Sequence, residues 1–410
     1  MKKNILVVAY ACEPDKGSEP GVGWNWAKQI AKKNKVIIIT RNNNRASLKK
    51  ALRADAFLNQ QISCRYYDPS PKLTFWKQGS RGLQLYYLMW QVGVKKIVKQ
   101  VIKENPVDYV FVPTFGNLWK PTFLYNLPCE FIWGPVGGGE CVPKTLLRNL
   151  SGKQRTMEFL RRLSFKIPVA NPWLYSICRG AKAILVRTED SLNCIPKKYQ
   201  DKCTVMIETG VDEQECQNYC ANATQPSMSQ DILVVGRLIS LKYVDIAIKA
   251  FSKIQEQFPE ARLQILGDGE ERAKLEHLTG ELGLEGKVCF HGNVPRDTVL
   301  EHLSHSRALL MTSAKEGGAW VLFEAMMCRR PIVCMDTAGM HTVVQENGGI
   351  KILVSDYASL VDAFGNAIAV LLQDGELANS LGENGYHYVS SDLLWSKKGE
   401  LFEELIQGQR

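Results

Sequence analysis

Histidine is missing from the first two thirds of this chain; all six lie beyond residue 270, so no imidazole from the first half can assist a reaction there. Long apolar runs are missing too. None approaches the roughly 18 residues that read as a membrane-crossing helix, so any membrane contact is expected to be peripheral. The N-terminal MKKNILVVAYACEP has a charged start, but its apolar run is only about half of a usual signal-peptide core. It leads straight into acidic and glycine-rich sequence and reads as a first buried strand, so the expected compartment is the cytoplasm. The twelve cysteines are scattered. The closest pair, Cys216 and Cys220, has no second Cys or His pair at metal-ligand spacing, and the set reads as reduced core thiols. No repeat of 20 to 50 residues, low-complexity tract or heptad array is present, which excludes a solenoid. No helix-turn-helix, zinc-finger or RNP pattern supports a nucleic-acid-binding reading.

What is present is enough for two domains with sizeable cores: 410 residues, 45% of them hydrophobic. Charge divides unevenly. Residues 1–205 carry 34 Lys and Arg against 13 Asp and Glu, net +21, and the remainder carries 17 against 29, net −12. Such an imbalance points the first half toward an anionic partner.

Short β-branched runs alternate with longer amphipathic ones. ILVVAY from Ile5, VIIIT from Val36, YVFVP from Tyr109, EFIWG from Glu130 and AILVRT from Ala183 read as buried strands. A second series runs through DILVVGRL from Asp231, RLQILGDG from Arg262, KVCFHGNV from Lys287, ALLMTS from Ala308 and RPIVCMD from Arg330. The pattern predicts βαβ units in two parallel sheets, an α/β fold of two Rossmann-like, doubly wound domains. Residues 213–230 are polar and aperiodic and read as a linker. The expected domains are therefore 1–207 and 208–389, with a helix at about 390–410 packing back onto the first. Ligands of such sheets sit at the carboxyl ends of the strands, so motifs that follow strands carry most weight.

The most informative of these is EGGAWVLFEAM, Glu316 to Met326. Glu316 is expected in a loop, Gly317 and Gly318 permit unusual backbone, and Glu324 lies on the helix that follows. The start of that helix offers free N–H groups to a diphosphate. On one continuous helix the two carboxylates would stand about 12 Å apart, suited to opposite ends of one ligand. GRLISLK places Arg237 and Lys242 just past DILVV, cations for a departing diphosphate. LGDG (with Gly267 and Asp268) and HGNVP (with Asn293 and Val294) follow two further strands. They are candidates to line a nucleobase pocket through backbone groups, or ordinary βα turns. In the first half Gly17, Gly21 and Gly23 precede a helix and offer a backbone nest for phosphate or an acceptor oxygen, although the spacing is not GxGxxG and a plain turn fits equally. GPVGGGE, Gly134 to Glu140, permits close approach of backbone to a ligand.

On these pieces the sequence resembles retaining glycosyltransferases of family 4, which have the GT-B fold of two Rossmann-like domains facing a cleft. The match rests on GRL with its downstream Lys, Ile265 to Gly269, His291-Gly292, Glu316 and Glu324 followed by Ala325-Met326, and Pro331-Ile332-Val333; it covers nearly all of residues 208–345. GSEPGVGWNWA and WGPVGGGE look like one bacterial branch of that family. The resemblance implies that Arg237 and Lys242 bind the donor diphosphate, Glu316 with the amides of Gly317 to Ala319 the sugar, and Glu324 the ribose. It implies a nucleoside-diphosphate sugar as donor, no cofactor or metal, and a saccharide or lipid-linked acceptor in cell-surface glycan synthesis. The chain departs from the family in having no His in DYVFVPTFGN, Tyr243 where Gly often follows the lysine, Thr209 for the usual Asn, and Arg329-Arg330 where Gly precedes the proline. A noncatalytic sugar-nucleotide binder and a GT-B epimerase remain alternatives. The stretch from Lys144 to Lys166 interleaves seven Lys and Arg with Leu, Met and Phe around one acid, Glu158. The segment from Trp76 to Lys103 repeats the theme with Tyr86, Tyr87, Met89 and Trp90. Both read either as helices lying on an anionic membrane at its inner face or as core-facing helices with solvated basic sides.

Overall fold

Buried β-branched runs set the architecture. The structure, a computed structural model, describes residues 2–77, 79, 81–166 (Lys166 by its backbone alone) and 171–408, and every count or absence below refers to these. Gln78, Ser80 and the Lys166 side chain, parts of the two basic stretches, lie outside the described residues.

Seven parallel strands form the first sheet: β1 (Asn4–Val8), β2 (Lys35–Thr40), β3 (Ile62–Tyr66), β4 (Tyr109–Val112), β5 (Glu130–Val136), β6 (Ala183–Val186) and β7 (Cys203–Val205), in the order β3-β2-β1-β4-β5-β6-β7. Six parallel strands form the second: β8 (Asp231–Val235), β9 (Arg262–Leu266), β10 (Val288–Gly292), β11 (Ala308–Met311), β12 (Ile332–Met335) and β13 (Gly349–Ile352), in the order β10-β9-β8-β11-β12-β13. Each sheet starts from an inner strand, winds outward and then reverses, the doubly wound order. The reversals fall between β1 and β4 and between β8 and β11.

The chain divides into two compact units. The first comprises residues 1–139, 163–209 and 395–410. On one face of its sheet the helix Ser18–Ala31 packs against the C-terminal helix Trp395–Gln407, with Trp26 edge-on to Phe111, Trp395 and Phe402. Tyr109 donates a 2.8 Å hydrogen bond to the Ile406 carbonyl. On the other face, the helix Leu83–Glu104 buries Tyr86, Tyr87, Trp90, Val94, Val98 and Val101. Of the two readings of this segment, Tyr86, Tyr87 and Trp90 follow the core-facing one, because they share one stripe of the helix with three valines.

The second unit comprises residues 140–162 and 210–394. Residues 140–162, placed with the first domain by sequence, supply Val142, Leu146 and Leu150 to this core. Moving that basic stretch leaves the charge imbalance in place, with 31 cations against 15 acids in the first unit and 20 against 27 in the second. The stretch read as a linker holds a helix, Glu213–Asn222, with Glu213 and Glu215 in its first turn. It has no readable apolar period because Cys216 is its one buried residue.

Candidate functional site

The loops that leave β8 and β11 meet at the second sheet's reversal, where a narrow pocket is lined by Gly236, Arg237, Lys242, Met311, Thr312 and Ser313 among others. Three glycine turns close against one another around it. A Cβ at Gly267 would stand 1.9 Å from the Gly236 carbonyl oxygen, and one at Gly269 2.3 Å from that of Leu238. Gly267 also adopts φ +144°, a region that side-chain-bearing residues avoid. The Gly236 amide donates to Leu266, that of Leu238 to Asp268 and that of Gly267 to Gly292. The backbone groups expected to line a nucleobase pocket at these turns are thus spent largely on joining the loops. The Asp268 carboxylate is held by the Gly269 amide at 2.7 Å and by Arg272 at 3.4 Å. Asn293 is exposed and Val294 half-buried just beyond β10.

Lys242 ends a 3-10 turn, Ser240–Lys242, and its carbonyl accepts from the Thr312 hydroxyl at 2.9 Å. Its ammonium is ion-paired with Glu316, both side chains being largely buried. Burial and the neighbouring charge of Arg237 depress Lys242 to about 8, while the Glu316 contact pulls the other way. Arg237 is exposed and forms no ion pair among the described residues. Two cations face one carboxylate here, an excess of positive charge suited to an anion.

Glu316 and the glycines after it are set by Gly339, the second residue of the helix Ala338–Val343. Its amide donates to the Glu316 carbonyl at 2.9 Å, and a Cβ there would lie 2.6 Å from the Gly318 nitrogen. The amides of Gly317, Gly318 and Ala319 have no acceptor among the described residues, and Ala319 caps the helix Trp320–Met327 without a side-chain bond. Because residues 321–327 of that helix are buried, its uncapped start lacks the usual satisfaction of helix-end donors and is open to an anionic ligand.

Glu324 lies on this helix, 6% exposed. Burial pushes its carboxyl up, and the charge and hydrogen bond of Arg296 offset part of that rise. Arg296 donates from Nε to Glu324 Oε1 at 2.6 Å and reaches Glu215 Oε1 from Nη2 at 2.7 Å. The pocket residues and the glutamate loop therefore converge, while Glu324 is engaged by a partner that sequence reading missed. Arg296 follows directly on HGNVP, but its reach to an acid 28 positions away leaves no local signal.

The departures from the family pattern have local explanations. Tyr243 sits in the left-handed region, φ +48°, where glycine would be unstrained, and its hydroxyl donates to the Leu146 carbonyl at 2.8 Å. Arg329 is also left-handed, φ +57°, and pairs with Glu383 at 3.1 Å. Arg330 is fully buried, with its guanidinium spread over the carbonyls of Cys328, Ser306 and Thr224, and burial lowers it to about 10. Thr209 is buried, with its hydroxyl unpaired.

Gly21 and Gly23 belong to the first unit and lie inside the helix Ser18–Ala31 instead of before it. Each allows a close approach: a Cβ would meet the Lys16 carbonyl oxygen at 1.9 Å and that of Ala11 at 2.1 Å, respectively. At this unit's own reversal, the segment without histidine has Phe115 at φ +55°, its amide donating to Glu19 at 2.9 Å. Arg187 bridges Glu19 at 3.0 Å and the half-buried Glu208 at 3.1 Å. This acid–arginine–acid chain was also invisible in sequence, its members lying up to 189 positions apart.

The fold class is the two-domain α/β GT-B class. The chain superposes on a glycosyltransferase from Rickettsia africae with a TM-score of 0.65 at 16% identity, covering 99% of this chain and 98% of that one. It superposes on Anabaena Alr3699/HepE, solved in complex with UDP, with a TM-score of 0.61 at 14% identity, covering 99% and 100%. In sequence, residues 220–388 match the family Glycosyl transferases group 1. A GDP-mannose-dependent alpha-(1-6)-phosphatidylinositol monomannoside mannosyltransferase of Mycolicibacterium smegmatis is 26% identical over 187 residues, 44% of this chain and 48% of that protein. The chain spans about half the length, or less, of the curated relatives it matches.

Proposed function

We propose that this protein is a glycosyltransferase that moves a sugar, with retention, from a nucleoside-diphosphate sugar to a saccharide or lipid-linked saccharide acceptor in glycan synthesis. The observation that carries the reading is the Lys242–Glu316 pair beside Arg237 and the uncapped helix start. In the donor complex Lys242 exchanges the carboxylate for the diphosphate, and Glu316 is freed to accept from sugar hydroxyls. As the bond from the sugar's anomeric carbon to the diphosphate oxygen breaks, the charge left on that oxygen meets Arg237, Lys242 and the amides of Gly317 to Ala319, all held in place beforehand. The acceptor oxygen forms the new bond on the same face, and its proton passes to the departing phosphate oxygen, so the step runs without imidazole or metal. The glycosyltransferase match over residues 220–388 and the UDP in the Anabaena structure support this donor class.

A location at the inner face of a membrane is part of the same proposal. The helix Leu83–Glu104 turns Leu85, Leu88 and Val92 outward, followed along the same side by Lys96, Lys99 and Lys103, and Phe75 nearby is 81% exposed. An apolar end followed by cations fits insertion beside anionic headgroups. No helix among the described residues is long and apolar enough to cross a membrane. The donor assignment is tested by thermal stabilisation with UDP-, GDP- and ADP-sugars, with Glu324→Ala and Arg237→Ala as controls. Stabilisation by one nucleotide family, lost in both variants, is expected; no shift with any of them overturns the reading.

A further inference from the structure

Arg296 stands between two acids on different helices. Its Nε meets Glu324 on Trp320–Met327 and its Nη2 meets Glu215 on Glu213–Asn222, while Arg296 itself opens the helix Arg296–Ser304. Bonding through Nε and Nη2 to two separate carboxylates fixes the plane of the guanidinium, which a lysine with its single ammonium cannot reproduce. Only one oxygen of Glu324 is used. Oε1 accepts from Arg296, and Oε2 has no hydrogen-bond partner among the described residues.

The pair joins the buried Glu324 to an arginine whose side chain is 44% exposed. An ion pair open to solvent on one side contributes little to stability. What the pair does provide is an oriented acceptor: a carboxylate with one oxygen held by the arginine, whose charge offsets part of the upward push of burial, and with the other oxygen unspent.

We propose that Arg296 is a positioning residue for donor binding, holding one oxygen of Glu324 so that the other accepts from the vicinal hydroxyls of the nucleotide's ribose, with Glu215 bracing the arginine from behind. This rests on the reading that the site takes a nucleoside-diphosphate sugar. It adds a three-residue relay, Glu215 to Arg296 to Glu324, to a contact that would otherwise be credited to Glu324 alone. The relay acts toward the nucleotide, so its effect is read as nucleotide affinity.

The experiment compares UDP, GDP and ADP, each with its 2′,3′-dideoxy form, by calorimetry on the full chain and on Glu324→Gln, Arg296→Met, Arg296→Lys and Glu215→Gln. Hydrogen bonds to a charged group imply that the unaltered protein prefers the hydroxylated form of its nucleotide by roughly 10- to 100-fold. That ratio is expected to collapse toward one in Glu324→Gln and in Arg296→Met, to recover in part in Arg296→Lys, and to fall to an intermediate value in Glu215→Gln, which leaves the Arg296–Glu324 contact in place. If Glu324→Gln loses the preference and both Arg296→Met and Glu215→Gln keep it, the relay is refuted while the donor site stands. If the unaltered protein binds a nucleotide without this preference, or Glu324→Gln retains it, the ribose contact and the relay fail while the donor site stands; if the unaltered protein binds none of the nucleotides, the donor reading fails. A merely structural role for Arg296 would lower affinity for both forms equally and leave the ratio unchanged, which also refutes the proposal.

Discussion

Adding one methyl group at Gly339 tests whether the glutamate loop is held by steric fit. An alanine Cβ at this position would lie 2.6 Å from the Gly318 nitrogen, 2.7 Å from the Gly317 carbonyl carbon and 2.9 Å from the Glu316 carbonyl oxygen. All three are backbone atoms, so no side-chain rotation relieves the contact. Reaching an ordinary separation requires the loop to withdraw by roughly 0.5 to 1 Å, against the packing of two buried helices. Overpacking of this kind costs about 1 to 3 kcal/mol, and for a unit of this size that corresponds to a fall in melting temperature of about 2 to 4 °C per kcal/mol. The same withdrawal carries Glu316 and the free amides of Gly317 to Ala319 away from their places, and a displacement near 1 Å at a positioned group can cost on the order of 100-fold. Gly339→Ala should therefore lose nucleoside-diphosphate affinity by 10-fold or more together with a measurable loss of stability, by calorimetry and thermal melting. Gly17→Ala, where a Cβ meets nothing within 4 Å, is the control. A Gly339→Ala protein that melts and binds as the unaltered chain does would refute the steric account of the loop.

Other outcomes follow from the same geometry. With Lys242 at about 8 in the free protein and raised once a diphosphate binds, raising the pH from 7 to 9 removes the proton that binding needs. Affinity for UDP or its functional counterpart should then fall about 10-fold, accompanied by proton uptake, whereas Lys242→Gln should bind weakly with no such slope; a flat profile in the unaltered protein contradicts the assignment. Arg330→Leu leaves the carbonyls of Cys328, Ser306 and Thr224 without their donor and should cost about 3 kcal/mol or more in denaturant unfolding; an unchanged midpoint would show that water replaces the guanidinium. Vesicles containing anionic lipid should sediment the protein at low salt, and Val92→Glu with Leu88→Glu should abolish this without altering nucleotide binding; sedimentation that survives both changes would rule out this helix face.

The interior of both sheets was legible because strands buried on both faces spell themselves as uninterrupted apolar runs. β1, β2, β4, β5 and β6, and then β8, β9, β11 and β12, read directly from such runs, and the edge strand β10 was read from KVCFHGNV. β3, β7 and β13 were missed. Each lies at an edge of its sheet, half-covered, and ISCRY, CTV and GIKI show no run to read. In the candidate site, the loop residues that follow buried strands could be found by their position: Arg237, Lys242, Glu316 and the glycines. Arg296, Glu215 and Gly339 could not, since each acts on a partner 20 or more positions away and an arginine, a glutamate or a glycine at a helix start is unremarkable by composition. The assignment of residues 140–162 failed for a related reason. Val142, Leu146 and Leu150 announce burial without naming the core that receives them.

The polypeptide passes from one compact unit to the other at 139/140, 162/163, 209/210 and 394/395. A fragment cut to begin at residue 210 would lack the three apolar side chains just named and the carbonyl that receives the Tyr243 hydroxyl. It would expose a hydrophobic scar on a body otherwise able to close. Any attempt to express the second unit by itself must therefore graft residues 140–162 back on, and the order in which the chain leaves the ribosome makes that unit wait upon a piece synthesised well before it.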